Sequence, residues 1–167
     1  MINGRPTSGK STVIRLCEEV AKPLANVYEL SMVDFVKDVA IDAGWRGDKT
    51  EEGRRFLADI KNAIERYDKN IIYKHIDDDI QSYRIFCKMR GHDPIFFINA
   101  RNPADITYLV KKYNAISLFI DNPNVPMVES NPEDKGVENY RYDVTIVNDG
   151  TMDELKAKAE KFLEELK

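Results

Sequence analysis

The sequence has little cysteine, little histidine and no long apolar run. Its 167 residues contain two cysteines, Cys17 and Cys87, which lie far apart and lack the spacing of a metal site. We therefore expect two buried free thiols in a reducing cytoplasm. His75 and His92 have no neighbouring metal ligands, and neither is a convincing general base. These absences argue against thiol, histidine or metal-cluster chemistry and direct attention to other residues.

The chain also lacks excess positive charge. It has 25 Lys and Arg residues against 29 Asp and Glu residues, for a net charge of −4. An acidic chain presents no overall electrostatic attraction for nucleic acid, and no apolar run approaches the roughly 20 residues that span a bilayer. We therefore expect a cytoplasmic protein with neither nucleic acid nor membrane as its partner. Any anionic substrate must be met by local basic groups.

The strongest motif lies at residues 4–11. Their sequence, GRPTSGKS, fits the phosphate-binding pattern G-x-x-x-x-G-K-S/T, in which the loop between a strand and a helix directs backbone N–H groups at phosphate oxygens. Lys10 would reach the β- and γ-phosphates and Ser11 would bind Mg²⁺. The alternative is a turn that caps an ordinary helix, but the amphipathic helix that follows favours nucleotide binding. The predicted nucleotide-binding residues are Gly4, Thr7, Ser8, Gly9, Lys10, Ser11 and Thr12.

The strand that should precede this loop is nearly absent. Only Met1, Ile2 and Asn3 come before Gly4, whereas strands usually have about five or six residues. In three-layer P-loop folds this strand lies in the middle of the sheet. Either the fold tolerates a shortened central strand, or the natural N-terminus lies upstream of Met1, which we favour. We therefore expect a truncated first strand.

Strands alternate with helices along the remainder of the chain. Apolar runs bounded by turn residues predict strands at 26–30, 94–99, 115–120 and 143–147, with amphipathic helices between them. Such alternation predicts one α/β domain over residues 1–167, with a parallel sheet, helices on both faces and ligands at the carboxyl ends of the strands. The segments to examine are therefore 4–11, 31–37, 99–101, 121–122 and 148–151.

Polar residues in these segments are candidates for acceptor binding. Arg101 follows strand 94–99 directly, and its guanidinium could hold an acceptor phosphate by two hydrogen bonds, whereas the alternative is a pair with Asp105. Asp34 and Lys37 lie one helical turn apart after the second strand. Asp34 could bind Mg²⁺ through water or orient the acceptor, and Lys37 could contact a phosphate. A simple surface ion pair between them is equally open.

Three further residues precede or open the next helix. Arg54 and Arg55 lie in its first turn, where basic residues oppose the helix dipole, so we expect them to bind an acceptor phosphate. Their pairing with nearby carboxylates is a comparable alternative. Trp45, the single tryptophan, lies in a polar loop and could stack on a base or cover a helix end.

The order of these segments resembles the P-loop nucleoside and nucleotide kinase superfamily. The resemblance rests on the loop at 4–11, the stretch SMVDFVK at 31–37, the helix led by Arg54 and Arg55, the strand that ends at Arg101, and the turn NDGT at 148–151. Within the superfamily, the chain resembles phage-type deoxynucleoside monophosphate kinases and the phosphomevalonate kinases of animals, with dephospho-CoA kinase further off. The resemblance covers nearly the whole chain, although only the phosphate loop is specific.

This resemblance implies a three-layer P-loop NTPase fold that uses ATP and Mg²⁺, and it is compatible with a homodimer. It implies an acceptor-binding helical region over about residues 32–92, and a lid over about residues 121–141 in which Lys135 or Arg141 covers the transferring phosphoryl group. The implied catalytic residues are Lys10, Arg101 and Asp34. The implied metal ligands are Ser11 and Asp34. Asn148, Gly150 and Thr151 would lie beside adenine, and Asp34, Lys37, Trp45, Arg54, Arg55 and Arg101 would form the acceptor side.

Two departures from the superfamily pattern leave two functions open. The strand at 95–99 ends in Asn99 where a Walker-B aspartate is usual. The strand at 115–120 leads into Asp121 where a basic residue often begins the lid, and Arg141 is the only arginine of the predicted lid. The first hypothesis is an ATP-dependent kinase that transfers the γ-phosphoryl group to a phosphorylated small molecule, with a nucleoside monophosphate favoured. The second is a nucleotide-binding regulatory or structural module without phosphoryl transfer.

Overall fold

A five-stranded parallel sheet lies at the centre of the protein. The computed structural model describes residues 1–22, 24–125 and 140–166. In chain order the strands are β1 (Ile2–Gly4), β2 (Ala25–Ser31), β3 (Asp93–Asn99), β4 (Leu118–Asp121) and β5 (Val144–Val147). They are arranged in the order β2-β3-β1-β4-β5, and each neighbouring pair is parallel. The carboxyl ends of the strands therefore meet at one edge of the sheet.

Helices connect these strands, and three of them begin at a side chain that caps the helix. The helices are α1 (Lys10–Ala21), α2 (Asp34–Asp42), α3 (Glu51–Asp68), α4 (Asn70–Met89), α5 (Pro103–Tyr113) and α6 (Met152–Glu164). The Thr50 side chain accepts a hydrogen bond from Gly53 N at the start of α3, and Asn102 does the same for Ala104 N at the start of α5. Thr151 and Glu154 form a capping box at α6.

The helices cover both faces of the sheet because side chains alternate along each strand. On one face, buried residues of α1 and α6 pack against strand residues such as Ile2, Phe97 and Ile120. On the other face, buried residues of α2, α4 and α5 pack against Leu30 and Ile98. The predicted α/β class, with a parallel sheet between two layers of helices in the P-loop arrangement, is confirmed.

The central strand is short, as predicted. β1 has three residues and lies between β3 and β4. Ile2 is fully buried, and Leu118 N donates a hydrogen bond to Met1 O at 2.9 Å. Burial on both faces and pairing on both sides therefore hold a strand that is too short to be stable alone.

The sequence placed the start of β4 too early. The apolar run predicts a strand from Ala115, whereas β4 begins at Leu118. Ile116 is partly exposed, and the Ser117 backbone N–H donates to the Asp143 carboxylate at 2.8 Å. Because the Asp143 side chain takes up the Ser117 N–H, the regular strand begins at Leu118, three residues later than predicted.

Both thiols are buried and free, as predicted. Burial raises the pKa of the Cys17 thiol to about 12, so this thiol stays neutral near pH 7 and is no nucleophile. In the described part of the chain, no group of three or more histidine, cysteine or carboxylate side chains is arranged to hold a metal ion. None of the helices in the same residues has the length and apolar character needed to cross a membrane.

Candidate functional site

The loop at residues 4–11 has the backbone shape that its sequence predicts. Gly4 and Gly9 have φ angles of 153° and 100°, in a region that favours glycine. A Cβ atom at Gly4 would lie 2.5 Å from Ile120 O, and one at Gly9 would overlap the Asn148 amide. The loop therefore needs glycine at both positions, for conformation and for space. Gly9 is the N-cap of α1, so the loop leads straight into a helix N-terminus that favours anions.

Lys10 folds back over this loop. Its ammonium group donates to Gly4 O at 2.7 Å and to Arg5 O at 2.9 Å. Thr7 has a φ of 61°, which is uncommon for a residue with a side chain and completes the tight curve of the loop. The positive group of Lys10 is thus held at the same place as the backbone cradle, as a phosphate site requires.

Two asparagines brace the loop from neighbouring elements. Asn3, which is buried in the middle of β1, accepts a hydrogen bond from Gly4 N at 2.6 Å and donates to Ala100 O at 2.6 Å. Asn148, which follows β5, donates to Ser8 O at 2.9 Å. The phosphate loop is therefore tied to the segments that follow β3 and β5. The sequence interpretation did not identify the role of Asn3, although its position just before the motif was a usable signal.

A cavity of about 530 Å³ opens beside the loop at the carboxyl ends of the strands. Of the predicted site residues, those that line it are Gly4, Lys10, Ser11, Asp34, Lys37 and Arg101. Its charged lining consists of five basic residues, which are Lys10, Lys37, Lys49, Lys61 and Arg101, and three acidic residues, which are Glu29, Asp34 and Asp105. In a chain of net charge −4, this cavity is locally basic, which suits an anionic ligand.

Asp34 and Lys37 form an ion pair at the wall of the cavity. Lys37 Nζ lies 2.7 Å from Asp34 Oδ1, and Asp34 Oδ2 accepts a hydrogen bond from Ser31 N at 2.7 Å. Both side chains are about 40% exposed, so the ion pair contributes little to stability. The surface ion pair that was one of the two alternatives from the sequence is therefore present, and both of its members also line the cavity.

Asn99, at the usual position of the Walker-B acid, is hydrogen-bonded to a carboxylate. Its side-chain amide donates to Glu29 Oε1 at 2.8 Å, and both residues line the cavity. Glu29 lies on β2, next to β3 in the sheet, and parallel pairing brings the two side chains together. A carboxylate is therefore present beside the position that lacks one in the sequence of β3.

Arg101 and Asp105 lie where β3 leads into α5, and both line the cavity. Asp105 is buried and accepts a hydrogen bond from the Tyr73 hydroxyl at 2.8 Å, and Lys69 Nζ lies 3.8 Å from the same oxygen. Burial, followed by the hydrogen bond to Asp105, raises the pKa of Tyr73 above its ordinary value. The Tyr73 hydroxyl therefore stays protonated and keeps donating to the carboxylate at neutral pH.

Some predicted acceptor-side residues lie elsewhere. Arg54 and Arg55 are exposed on α3, and neither they nor Trp45 is among the described residues that line the cavity. Trp45 Nε1 lies 3.0 Å from the position that a Cβ atom of Gly53 would take, so the ring covers the start of α3. That placement matches the alternative role for Trp45.

The remaining predicted residues lie around the site or outside the described chain. Thr7, Ser8, Gly9 and Thr12 belong to the loop and the first turn of α1. Gly150 and Thr151 belong to the turn before α6, where Thr151 serves as the helix cap. Arg141 is exposed, and most of the predicted lid, including Lys135, lies outside the described residues.

Lys61, like Glu29, Lys49 and Asp105, is a charged cavity residue that was not among the predicted site residues. It lies on α3 and is 7% exposed. The signal was present, because position 61 is four residues after Leu57 and three before Ile64, within the apolar stripe of this helix. A lysine in such a stripe is unusual among core positions.

The oxygen donors of the cavity fit Mg²⁺. The Ser11 hydroxyl and the Asp34 carboxylate line the same space, and Mg²⁺ prefers oxygen ligands and keeps most of its shell as phosphate and water. A site with one or two protein ligands is therefore sufficient when a nucleotide supplies the others.

A scan against protein-family models gives no match, and neither does a search of curated proteins. Among solved structures, the chain is similar to the APS kinase CysC of Mycobacterium tuberculosis. A cysteine-to-alanine mutant of that protein has 18% identity and a TM-score of 0.44, with 98% of this chain and 94% of that chain covered. Its complex with AMPPNP and APS has 16% identity and a TM-score of 0.47, with 98% and 95% covered. With identities and TM-scores this low, the similarity does not indicate the function of this chain.

Proposed function

We propose that this protein is an ATP-dependent kinase that transfers the γ-phosphoryl group to a phosphorylated small molecule. The observation that carries the proposal is that one cavity joins the phosphate loop to further basic side chains. Lys10 and Ser11 line it from the loop, and Lys37 and Arg101 line it from the segments after β2 and β3. A nucleotide and a second anion would thus share one basic space.

In the proposed reaction, an acceptor phosphate oxygen attacks the γ-phosphorus while the bond from that phosphorus to the bridging oxygen breaks, and ADP leaves. The loop N–H groups, the N-terminus of α1 and Lys10 bind the nucleotide phosphates. Lys10 and Arg101 neutralise the charge on the transferring group. Ser11 and Asp34 would hold Mg²⁺, which would supply further neutralisation of phosphate charge when bound.

A nucleoside monophosphate is the favoured acceptor. The cavity volume of about 530 Å³ lies in the range of small-molecule sites, and its basic lining suits a phosphate. A homodimer and a cytoplasmic location stay predictions that accompany this proposal.

The second candidate is a nucleotide-binding module without phosphoryl transfer. Asn99 favours it, because an amide replaces the acid that usually assists Mg²⁺ at this position. Against this candidate, Asn99 contacts the Glu29 carboxylate, which places a negative group beside the same strand end.

A coupled assay of ADP release tests the first candidate. The acceptors to compare are the nucleoside monophosphates, phosphomevalonate and dephospho-CoA. We expect turnover with at least one of them, and a loss of about 100-fold or more in Lys10→Ala because a phosphate-neutralising group is removed. The matched control is Lys22→Ala, at an exposed lysine beyond the end of α1 that pairs with Glu18.

The outcomes separate the two candidates. ATP binding that is lost in Lys10→Ala, without turnover by the unmodified protein on any acceptor, favours the module without transfer. ATP binding that Lys10→Ala leaves unchanged contradicts both candidates.

A further inference from the structure

We infer that Glu29 takes the place of the acid that is missing at the end of β3 and holds a water molecule of the Mg²⁺ shell, with Asn99 as the residue that positions it. This inference rests on the proposed function and deepens it, because it concerns the metal that would accompany the nucleotide at the same site. It begins from two side chains of neighbouring strands that both line the cavity, where the Asn99 amide donates to Glu29 Oε1 at 2.8 Å. The carboxylate that β3 lacks is thus supplied by β2, near the same edge of the sheet.

Glu29 lies on the face of the sheet that α1 covers. It is paired in register with Phe97, and Asn99 lies two residues further along β3, so these side chains point to one face. Phe97 belongs to the buried cluster that includes residues of α1, and α1 carries Ser11 in its first turn. The Glu29 carboxylate and the Ser11 hydroxyl therefore approach the cavity from the same side of the sheet.

The spacing of the strands favours contact through water. β3 lies between β2 and β1, and the phosphate loop follows β1. Since adjacent strands are about 4.8 Å apart, about 10 Å separates the backbones of β2 and β1. A glutamate side chain covers part of this gap, and a water bound to Mg²⁺ covers the remainder. Mg²⁺ usually keeps several of its waters when it binds to a protein, so a carboxylate can act on it in this way.

Glu29 has an oxygen available for this water, whereas both oxygens of Asp34 are engaged. Lys37 Nζ lies 2.7 Å from Asp34 Oδ1, and Ser31 N donates to Asp34 Oδ2 at 2.7 Å. Glu29 Oε1 accepts from Asn99, and among the described residues no donor contacts Oε2. The Glu29 side chain is also exposed, so water reaches it. Of the two carboxylates, Glu29 therefore has the more available oxygen.

The amide at position 99 is the group that this arrangement needs. Asn99 Nδ2 donates to Glu29 Oε1 and lies 3.5 Å from Leu30 O, so both neighbours of this nitrogen are acceptors. An aspartate at this position would place a second carboxylate against Glu29, and adjacent like charges disfavour the charged forms of both. Asn99 therefore holds Glu29 in place as a carboxylate.

The test measures how much Mg²⁺ tightens the binding of AMPPNP. Calorimetric dissociation constants are measured with excess Mg²⁺ and with EDTA, and their ratio is the metal-dependent gain. The variants are Glu29→Gln and a double variant that combines Glu29→Gln with Asn99→Asp, which returns the acid to β3. The matched control is Glu19→Gln, because Glu19 is exposed on α1, pairs with Arg15 and is outside the described lining of the cavity.

We expect the metal-dependent gain to fall by about 10-fold in Glu29→Gln, which is the usual effect of losing a partner of a metal's bound shell. Binding in EDTA does not weaken, because no phosphate-binding group is lost. The double variant regains the metal dependence, since its new carboxylate lies beside the same site. Glu19→Gln behaves like the unmodified protein.

A metal-dependent gain that is the same in Glu29→Gln and in the unmodified protein overturns the inference. Equal weakening with Mg²⁺ and with EDTA also overturns it, because that result indicates a structural role. A double variant that is as weak as Glu29→Gln does so as well, since the two positions would then not serve one site.

The coupled assay separates this inference from the proposed function. Turnover, together with a full metal-dependent gain in Glu29→Gln, removes only this inference. A gain that depends on Glu29, without turnover on any acceptor, supports the inference and contradicts phosphoryl transfer. AMPPNP that binds neither with Mg²⁺ nor with EDTA contradicts both.

Discussion

Asn3 connects the two sides of the candidate site through a single side chain. Its oxygen accepts a hydrogen bond from Gly4 N at the start of the phosphate loop, and its amide donates to Ala100 O just before Arg101. The contact with Ala100 O is buried, so water does not readily replace it in a variant that removes the side chain. The side chain therefore positions the loop and the arginine segment relative to each other.

Replacing Asn3 by alanine should destabilise the protein by about 1–3 kcal/mol, because it leaves the buried carbonyl of Ala100 and the partly buried N–H of Gly4 without their partner. Urea unfolding at pH 7 measures the change. Asn124→Ala, at an exposed asparagine, should stay within about 0.5 kcal/mol of the unmodified protein. Equal stability of Asn3→Ala and Asn124→Ala would show that the two contacts contribute nothing.

At the scale of the element, β1 depends on burial rather than on length. Three residues supply few ladder hydrogen bonds, but Ile2 pairs with strands on both sides and is fully buried in the core. The phosphate loop begins directly after this strand, so the position of the loop depends on how firmly Ile2 is packed.

Ile2→Ala should therefore cost about 2–5 kcal/mol, which is the usual effect of removing a large buried aliphatic side chain. The control is Ile85→Ala on α4, where the side chain is 61% exposed. Thermal and urea unfolding of the two variants provide the comparison. A change in Ile2→Ala as small as that in the control contradicts the view that burial holds the strand.

A side-chain cluster joins the beginnings of β4 and β5. Asp143 accepts hydrogen bonds from the Ser117 hydroxyl at 2.5 Å and from Ser117 N at 2.8 Å. The hydroxyl bond, followed by the backbone bond, holds the pKa of the Asp143 carboxyl below its ordinary value. The carboxylate form is thus favoured in the folded protein.

The sign of the pH effect follows from this lowered pKa. The contribution is fully present above the carboxyl pKa of the unfolded chain, near 4, and it is lost as the pH falls through the lower pKa of the folded protein. Urea midpoints measured between pH 7 and pH 2 should fall less steeply in Asp143→Asn and in Ser117→Ala than in the unmodified protein. Identical slopes would contradict a stabilising role for this carboxylate.

The sequence predicted the elements well because their apolar patterns are strong. Strand 94–99 differs from β3 by one residue, and Asn102 with Pro103 marks the start of α5. It predicted the start of β4 less well, because the bond between Ser117 and Asp143 joins residues 26 positions apart, which no local pattern records.

At the scale of the whole molecule, the phosphate loop could be predicted but its surroundings could not. The loop is a contiguous motif, so its own residues largely determine its backbone conformation. Glu29 reaches the cavity from β2, Lys49 from the loop before α3 and Lys61 from α3, and only the folded chain brings them together. Arg54 and Arg55 were predicted as acceptor ligands from their position at a helix start, whereas Lys61 of the same helix lines the cavity.

The basic residues that line the cavity outnumber the acidic ones, although the net charge of the chain is negative. The chain carries a net charge of −4, whereas the cavity lining holds two more basic than acidic residues. Such a contrast concentrates positive potential at the carboxyl ends of the strands, where an anionic ligand would bind. The proposed kinase activity depends on this local excess.

The most direct test of phosphoryl transfer is a phosphorus NMR time course with ATP, Mg²⁺ and a panel of nucleoside monophosphates. The account predicts loss of the γ-phosphate signal of ATP together with the appearance of a nucleoside diphosphate from at least one acceptor. It also predicts that Lys10→Ala slows this conversion by about 100-fold or more. ATP that binds to the protein but never yields a phosphorylated acceptor from any member of the panel would contradict it.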